Sequence, residues 1–83
     1  MATVVLQGEL ARRFLGDGRG EVEIEAVDYR GLVDALEQRF PGFSNAISVG
    51  TAVAIDGEIF PQPYLEAVGP HSEVHFLPVI GGG

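Results

Sequence analysis

The chain of 83 residues contains no cysteine and no lysine. Without cysteine there is no disulfide framework, no thiolate metal site and no cysteine nucleophile. A domain this small must then hold together by packing alone. Without lysine, all five positive charges are arginines, set against twelve acids for a net charge of −7. A phosphate backbone asks for a basic surface, so nucleic acid is not the expected ligand. An anionic membrane would repel the chain as well, whereas a basic protein partner would attract it. The missing lysine has a chemical consequence. If the C-terminal carboxylate were activated as an acyl donor, the folded chain would offer no ε-amine to capture it, only the N-terminal amine. No apolar run approaches the ~20 residues of a membrane span. The start, Met1-Ala2-Thr3-Val4-Val5, lacks a basic segment followed by an apolar signal core, so a cytoplasmic protein is expected.

Hydrophobic content of 46% fits a globular fold, and the length fits one domain, residues 1–83. Such a chain buries somewhat over ~60% of its unfolded surface, a real but small core. Thr3 to Gln7 is a β-branched, apolar run closed by Gly8, a strand with both faces buried. Glu9 to Phe14 can form one helical turn. Gly16 to Gly20 reads as a loop, with three glycines in five residues. Between Glu21 and Ala26, Val22, Ile24 and Ala26 alternate with three glutamates, the pattern of a strand with one wet face.

Asp28 is a good N-cap for a helix whose stripe is Leu32, Val33, Leu36 and Phe40, and which Pro41-Gly42 stops. Phe43 to Gly50 reads as a connection. Thr51 to Asp56 is a third strand, turned by Asp56-Gly57 into the short return Glu58 to Phe60. Pro61 and Pro63 end that return, and Tyr64 to Val68 fits a short helical turn. The last strand is Glu73 to Pro78. This order implies an α+β domain: a mixed sheet of four to five strands packed on one main helix.

Candidate chemistry within the body is weak. His71 and His75 bracket a strand, where residues four apart stand ~13 Å from each other, too far to share a metal ion. Ser72 beside His71 lacks a nucleophile motif. Gly16, Gly18 and Gly20 precede a strand rather than a helix, so no helix N-terminus awaits a phosphate. The glutamate row reads as a solvated sheet face. Neither a bound cofactor nor a metal is expected. What remains is the ending Val79-Ile80-Gly81-Gly82-Gly83. Three glycines make a thread of bare backbone able to enter a channel that side chains would block. Its α-carboxylate, with a reference pKa of roughly 3.3–3.7, is ionised at neutral pH. Residues 79–83 are therefore expected to form an exposed tail on a folded root.

Three segments together resemble the prokaryotic ubiquitin-like sulfur carriers of the MoaD/ThiS family over essentially the whole chain. They are Leu36-Glu37-Gln38-Arg39-Phe40-Pro41-Gly42, the hairpin Val53 to Glu58, and the ending Gly69 to Gly82. The long first connection, Gly8 to Gly20, is most similar to the small subunit of molybdopterin synthase. The resemblance implies a β-grasp (ubiquitin-like) fold and a carrier without catalytic residues of its own. It implies an ATP-dependent, E1-like activating enzyme of the MoeB/ThiF type, which would adenylate the terminal carboxylate. A sulfur donor would then leave a thiocarboxylate. The resemblance places that group on Gly83, or on Gly82 if the last residue is trimmed, with Gly81 and Gly82 threading the channel. Leu77, Pro78, Val79 and Ile80 would contact the partner. The implied acceptor is a molybdopterin synthase large subunit (MoaE-like), for molybdenum cofactor synthesis, or another sulfur-accepting enzyme serving thiamin, cysteine or a different thiolated metabolite. A non-covalent interaction module and a protein modifier remain the readings from other classes.

Overall fold

In a computed structural model that describes residues 1–48, 51–60 and 66–78, the alternating segments become strands of one sheet. In chain order the elements are β1 (Ala2–Gln7), α1 (Gly8–Leu15), β2 (Arg19–Ile24) and α2 (Tyr29–Arg39). There follow α3 (Phe43–Ala46), β3 (Thr51–Ile55), β4 (Glu58–Phe60) and β5 (Glu73–Pro78). The sheet runs β2-β1-β5-β3-β4. The β1–β5 pair is parallel, and the others are antiparallel. The last strand thus lies in the middle of the sheet, hydrogen-bonded on both sides. Parallel neighbours need a crossover, and α2 supplies it on one face.

Pairing register explains which residues form the core. Val4 faces Val22 and Val74, and Leu6 is level with Phe76, so alternate residues of three strands converge on the helix side. Val53 and Ile55 of β3 join them opposite Phe76 and Val74. From above, Leu32, Leu36 and Phe43 close the core with no exposed surface. Burying side chains of this size stabilises the fold by about 1.5–3 kcal/mol each, an upper figure because the unfolded chain is already partly compact. Val33 and Phe40 pack at the margin, while Asp34, Gln38 and Arg39 are exposed, as their spacing predicts.

Local chemistry sets the element ends. Asp28 Oδ1 accepts from the Gly31 amide at 2.7 Å and caps α2. A Cβ at Gly31 would stand 3.1 Å from that same oxygen, so the helix-weakening glycine makes room for the cap. Asp56 and Gly57 both have positive φ, 50° and 86°, the backbone required by a tight two-residue hairpin.

Several expectations need correction. The turn expected over Glu9 to Phe14 is a helix of eight residues, Gly8–Leu15, with Gly16 as a left-handed cap. The loop expected through Gly20 ends at Gly18, because Arg19 and Gly20 already pair with Gln7 and Leu6. Leu15 lies over Gly20, where an added Cβ would meet its Cδ1 at 2.5 Å, so the glycine serves packing rather than a loop. The connection after Pro41-Gly42 contains α3. The helical turn expected over Tyr64 to Val68 does not hold where it is described. Tyr29 N donates to Glu66 O at 2.9 Å, Val68 N donates to Val27 O at 3.0 Å, and Asp28 and Ala67 form a β-bridge. Val49 and Gly50, the segment Pro61 to Leu65, and Val79 to Gly83 lie outside the described residues.

Candidate functional site: the root of the C-terminal strand

Ser72 and Asp56 fix the start of β5. The Ser72 hydroxyl donates to Asp56 Oδ2 at 2.8 Å and accepts from Gly69 N at 2.8 Å. Asp56 Oδ1 accepts from Glu73 N at 2.9 Å, and Asp56 N donates to Glu73 O at 2.9 Å. Thr3 N adds a bond to Ser72 O, also at 2.9 Å. Hairpin, β1 and β5 are thereby tied together at one corner. The Glu73 amide, and after it the Ser72 hydroxyl, hold the Asp56 carboxyl below the usual aspartate range, because hydrogen bonds to the charged form favour it. Ser72 is thus a buried structural donor, not a nucleophile.

Beyond this corner the strand is flanked on both sides. Val5 is level with His75 and Leu6 with Phe76 on the β1 side; on the other, Ala52 faces Leu77 and Thr51 faces Pro78. Phe76 points into the core and packs edge-on against Phe43, with ring centroids 5.3 Å apart. Leu77 alternates with it, so it falls on the open face of the sheet, half-buried, and outside the helix-side core. Of the expected partner-contact residues, Leu77 and Pro78 are therefore placed as the last two residues of the central strand. Val79, Ile80, Gly81, Gly82 and Gly83 lie outside the described residues.

The two histidines are not brought into one site. His71 is exposed in the turn before β5, and His75 Nε2 lies 2.6 Å from Glu73 Oε1 on the open face. Among the described residues no group of three or more potential ligands is arranged for a metal ion. Glu21 and Glu23 are exposed at the sheet margin, as a solvated row should be.

At the other end of the fold, Glu37 holds the α2–α3 corner. Its oxygens accept from Gly42 N at 2.8 Å and Ser44 N at 2.9 Å. These bonds, led by that from Gly42, lower its pKa. Sequence reasoning missed this corner and the Asp56–Ser72 tie. An acid five residues before the glycine of the Pro41-Gly42 helix stop was the available signal for the first; the second joins residues 16 apart and left none.

The model of the ThiS family matches residues 8–83. The chain belongs to the ThiS family. A search of curated proteins finds no match. Among solved structures, Mycobacterium tuberculosis CysO is 17% identical, with a TM-score of 0.76 over 93% of this chain and 99% of that one. A chain of the Amycolatopsis orientalis BexX/CysO complex is 20% identical, with a TM-score of 0.75 over 96% and 99%. The small archaeal modifier protein 1 (SAMP1) of Methanosarcina acetivorans is 15% identical, with a TM-score of 0.70 over 100% and 98%. At these identities the likeness speaks for the fold, which is the β-grasp. No helix among the described residues is long and apolar enough to cross a membrane.

Proposed function

We propose that this ThiS-family chain is a sulfur carrier whose terminal glycine is the working group. An E1-like activating enzyme of the MoeB/ThiF type spends ATP to convert the Gly83 carboxylate into an acyl-adenylate. A sulfide equivalent then displaces AMP and leaves a thiocarboxylate. If the last residue is trimmed, Gly82 takes that role. The observation that carries this reading is the strand that leads to the tail. β5 is paired on both sides and pinned at its start, and it runs straight into a sequence ending in three glycines. A carboxylate is a poor electrophile until its oxygen becomes a leaving group, so a carrier needs only a presentable end, not catalytic side chains. Gly81 and Gly82 would lie flat in the channel, with Leu77, Pro78, Val79 and Ile80 contacting its mouth.

The acceptor proposed first is a MoaE-like large subunit of molybdopterin synthase, with this chain as the sulfur-donating subunit. An acceptor serving thiamin, cysteine or another thiolated metabolite is the alternative, and the BexX/CysO complex supports the expectation of an enzyme partner. A second reading, a protein modifier, draws on the likeness to a small archaeal modifier protein. Intact mass after incubation with ATP, the activating enzyme and a sulfur donor tests the proposal. A gain equal to one oxygen-for-sulfur exchange supports it. An unchanged mass with an enzyme competent on another carrier refutes it, and larger protein adducts that need the terminal glycine support the modifier.

A further inference from the structure

Charge on this acidic molecule is unevenly placed. β1 ends at Gln7, which pairs with Arg19, and α1 follows at once with Arg12 and Arg13. Arg39 closes α2, and the next residue, Phe40, packs on Phe14 of α1 with ring centroids 6.0 Å apart. Four of the five arginines therefore gather at the end of the sheet where β1 and its parallel neighbour β5 both finish. This is where Leu77 and Pro78 lead to the tail. All four are exposed. The Arg13 and Arg39 guanidinium carbons stand 5.4 and 5.8 Å from the ring centroids of Phe14 and Phe40, which fixes their place on the surface.

The carboxylates at this end are Glu9, Asp17 and Glu37, and each is engaged. Glu37 serves Gly42 N and Ser44 N, Asp17 serves Gly18 N at 2.8 Å, and Glu9 lies 3.8 Å from Arg12. Four cations thus face three occupied anions. The other nine acids share only Arg30, so this end carries +1 and the rest of the molecule −8.

We infer that this basic pole is a docking surface for an acidic protein surface at the mouth of the partner enzyme's tail channel. The inference rests on the carrier reading and adds the partner's chemistry. An acidic rim attracts the pole and repels every other face, so encounters are turned tail-first before contact. The arginines come from three elements and do not converge, which suits a broad protein surface better than one phosphate. A nucleic acid's longer-range field would act on the whole acidic body and repel it.

The test measures ATP–pyrophosphate exchange by the activating enzyme of the same genome against carrier concentration. The variants are Arg12→Gln/Arg19→Gln, which leaves both ring stacks intact, the quadruple Arg12→Gln/Arg13→Gln/Arg19→Gln/Arg39→Gln, and Arg30→Gln as control. The quadruple should raise KM about tenfold at unchanged kcat, and the double should fall between it and wild type. The control should stay within about twofold. The wild-type KM should climb with salt, whereas that of the quadruple should not. An unchanged or lower KM for the quadruple at low salt overturns the inference. An independent arm passes the purified proteins over a sulfopropyl resin at low salt. Wild type retarded behind the quadruple supports the pole; co-elution of the two refutes it. No pyrophosphate exchange with wild type, despite retardation on the resin, sinks the carrier reading while leaving the pole real. Tighter binding to single-stranded DNA than to the enzyme would assign the pole to nucleic acid and reject this proposal.

Discussion

Replacing Phe43 with alanine is the sharpest test of how the tail's root is held. Phe43 is fully buried at the start of α3 and packs against the rings of Phe14, Phe40 and Phe76. Its centroid lies 5.3 Å from Phe14, 5.3 Å from Phe76 and 6.5 Å from Phe40. Truncating a core phenylalanine costs about 3–5 kcal/mol through lost transfer energy and the cavity left behind. The upper half of that range is expected here, because the two closer ring pairs add about 0.5–1.5 kcal/mol each. Domains of this length have a total stability of about 4–12 kcal/mol, so the variant would sit near the edge of folding. Phe43→Leu keeps most of the volume and should cost about 1–3 kcal/mol, chiefly the two lost ring pairs.

Urea unfolding followed by circular dichroism gives the numbers, with the slope checked so that a midpoint shift reports stability. In heat, the alanine variant should melt at least about 16 °C below wild type, at 4–8 °C per kcal/mol for this size. Ile59→Ser, at an exposed position on β4, serves as control and should shift stability by less than about 0.5 kcal/mol. A Phe43→Ala variant losing under about 1 kcal/mol would mean that α3 does not close the core. The packing of Phe76, and with it the fixed exit of the chain, would then need another explanation.

Asp56→Asn should destabilise the fold at neutral pH by weakening the bonds to Ser72 and Glu73. The wild-type carboxyl is lowered in the folded state, so its contribution is complete above the unfolded pKa of about 4 and fades as pH falls through the folded value. The gap in urea midpoint should therefore narrow from pH 7 toward pH 3; a constant gap would exclude the charge. Gly57→Ala places a Cβ at φ 86° and should cost about 1–2 kcal/mol by thermal melt, whereas Gly18→Ala, at an ordinary φ with open space, should cost less than about 0.5 kcal/mol. Deleting Gly82 and Gly83 should leave the melting temperature unchanged and abolish the mass gain on sulfur loading; retained loading would relocate the reactive group. Arg12→Lys/Arg19→Lys should form amide adducts on activation that wild type does not, seen as water-loss species in intact mass.

Local periodicity carried most of the sheet and α2, because each burial pattern repeats within a few residues. Asp28 to Phe40 was readable for that reason, as was Glu21 to Ile24, although the strand expected to reach Ala26 stops at Ile24. Gly20 was misread because its cause is Leu15, which reaches it from another element. A glycine kept for close packing looks in sequence like one kept for a turn. The α3 helix was missed because four residues show no period, and its anchor is the packing of Phe43 against two distant rings, Phe14 and Phe76. Segment 66–68 was misread as helical because its partner is the backbone of 27–29, some forty residues earlier. At the candidate site, composition pointed to the tail. The tie at its root and the basic pole beside it appear only once strands are paired.

The make-up of that pole bears on carrier chemistry. A positive charge beside the tail could come from lysine or arginine, but the two differ once the tail is an electrophile. Lysine has an unperturbed pKa of about 10.4, so a small neutral fraction exists at pH 7 and can attack an acyl-adenylate. Arginine stays protonated and offers planar donors suited to carboxylates without a nucleophilic amine. A lysine at position 12 or 19 would stand at the end of the sheet where the tail departs. It would meet the activated group at a high effective concentration, set only by the short glycine span. Under the proposed function, the all-arginine pole would attract an acidic partner while removing that side reaction, and the absence of lysine elsewhere leaves only the N-terminal amine for the same route between molecules. The chain's most unusual compositional feature and its asymmetric charge would thus meet at one requirement of the proposed carrier: a tail that reacts with the next enzyme and not with its own carrier.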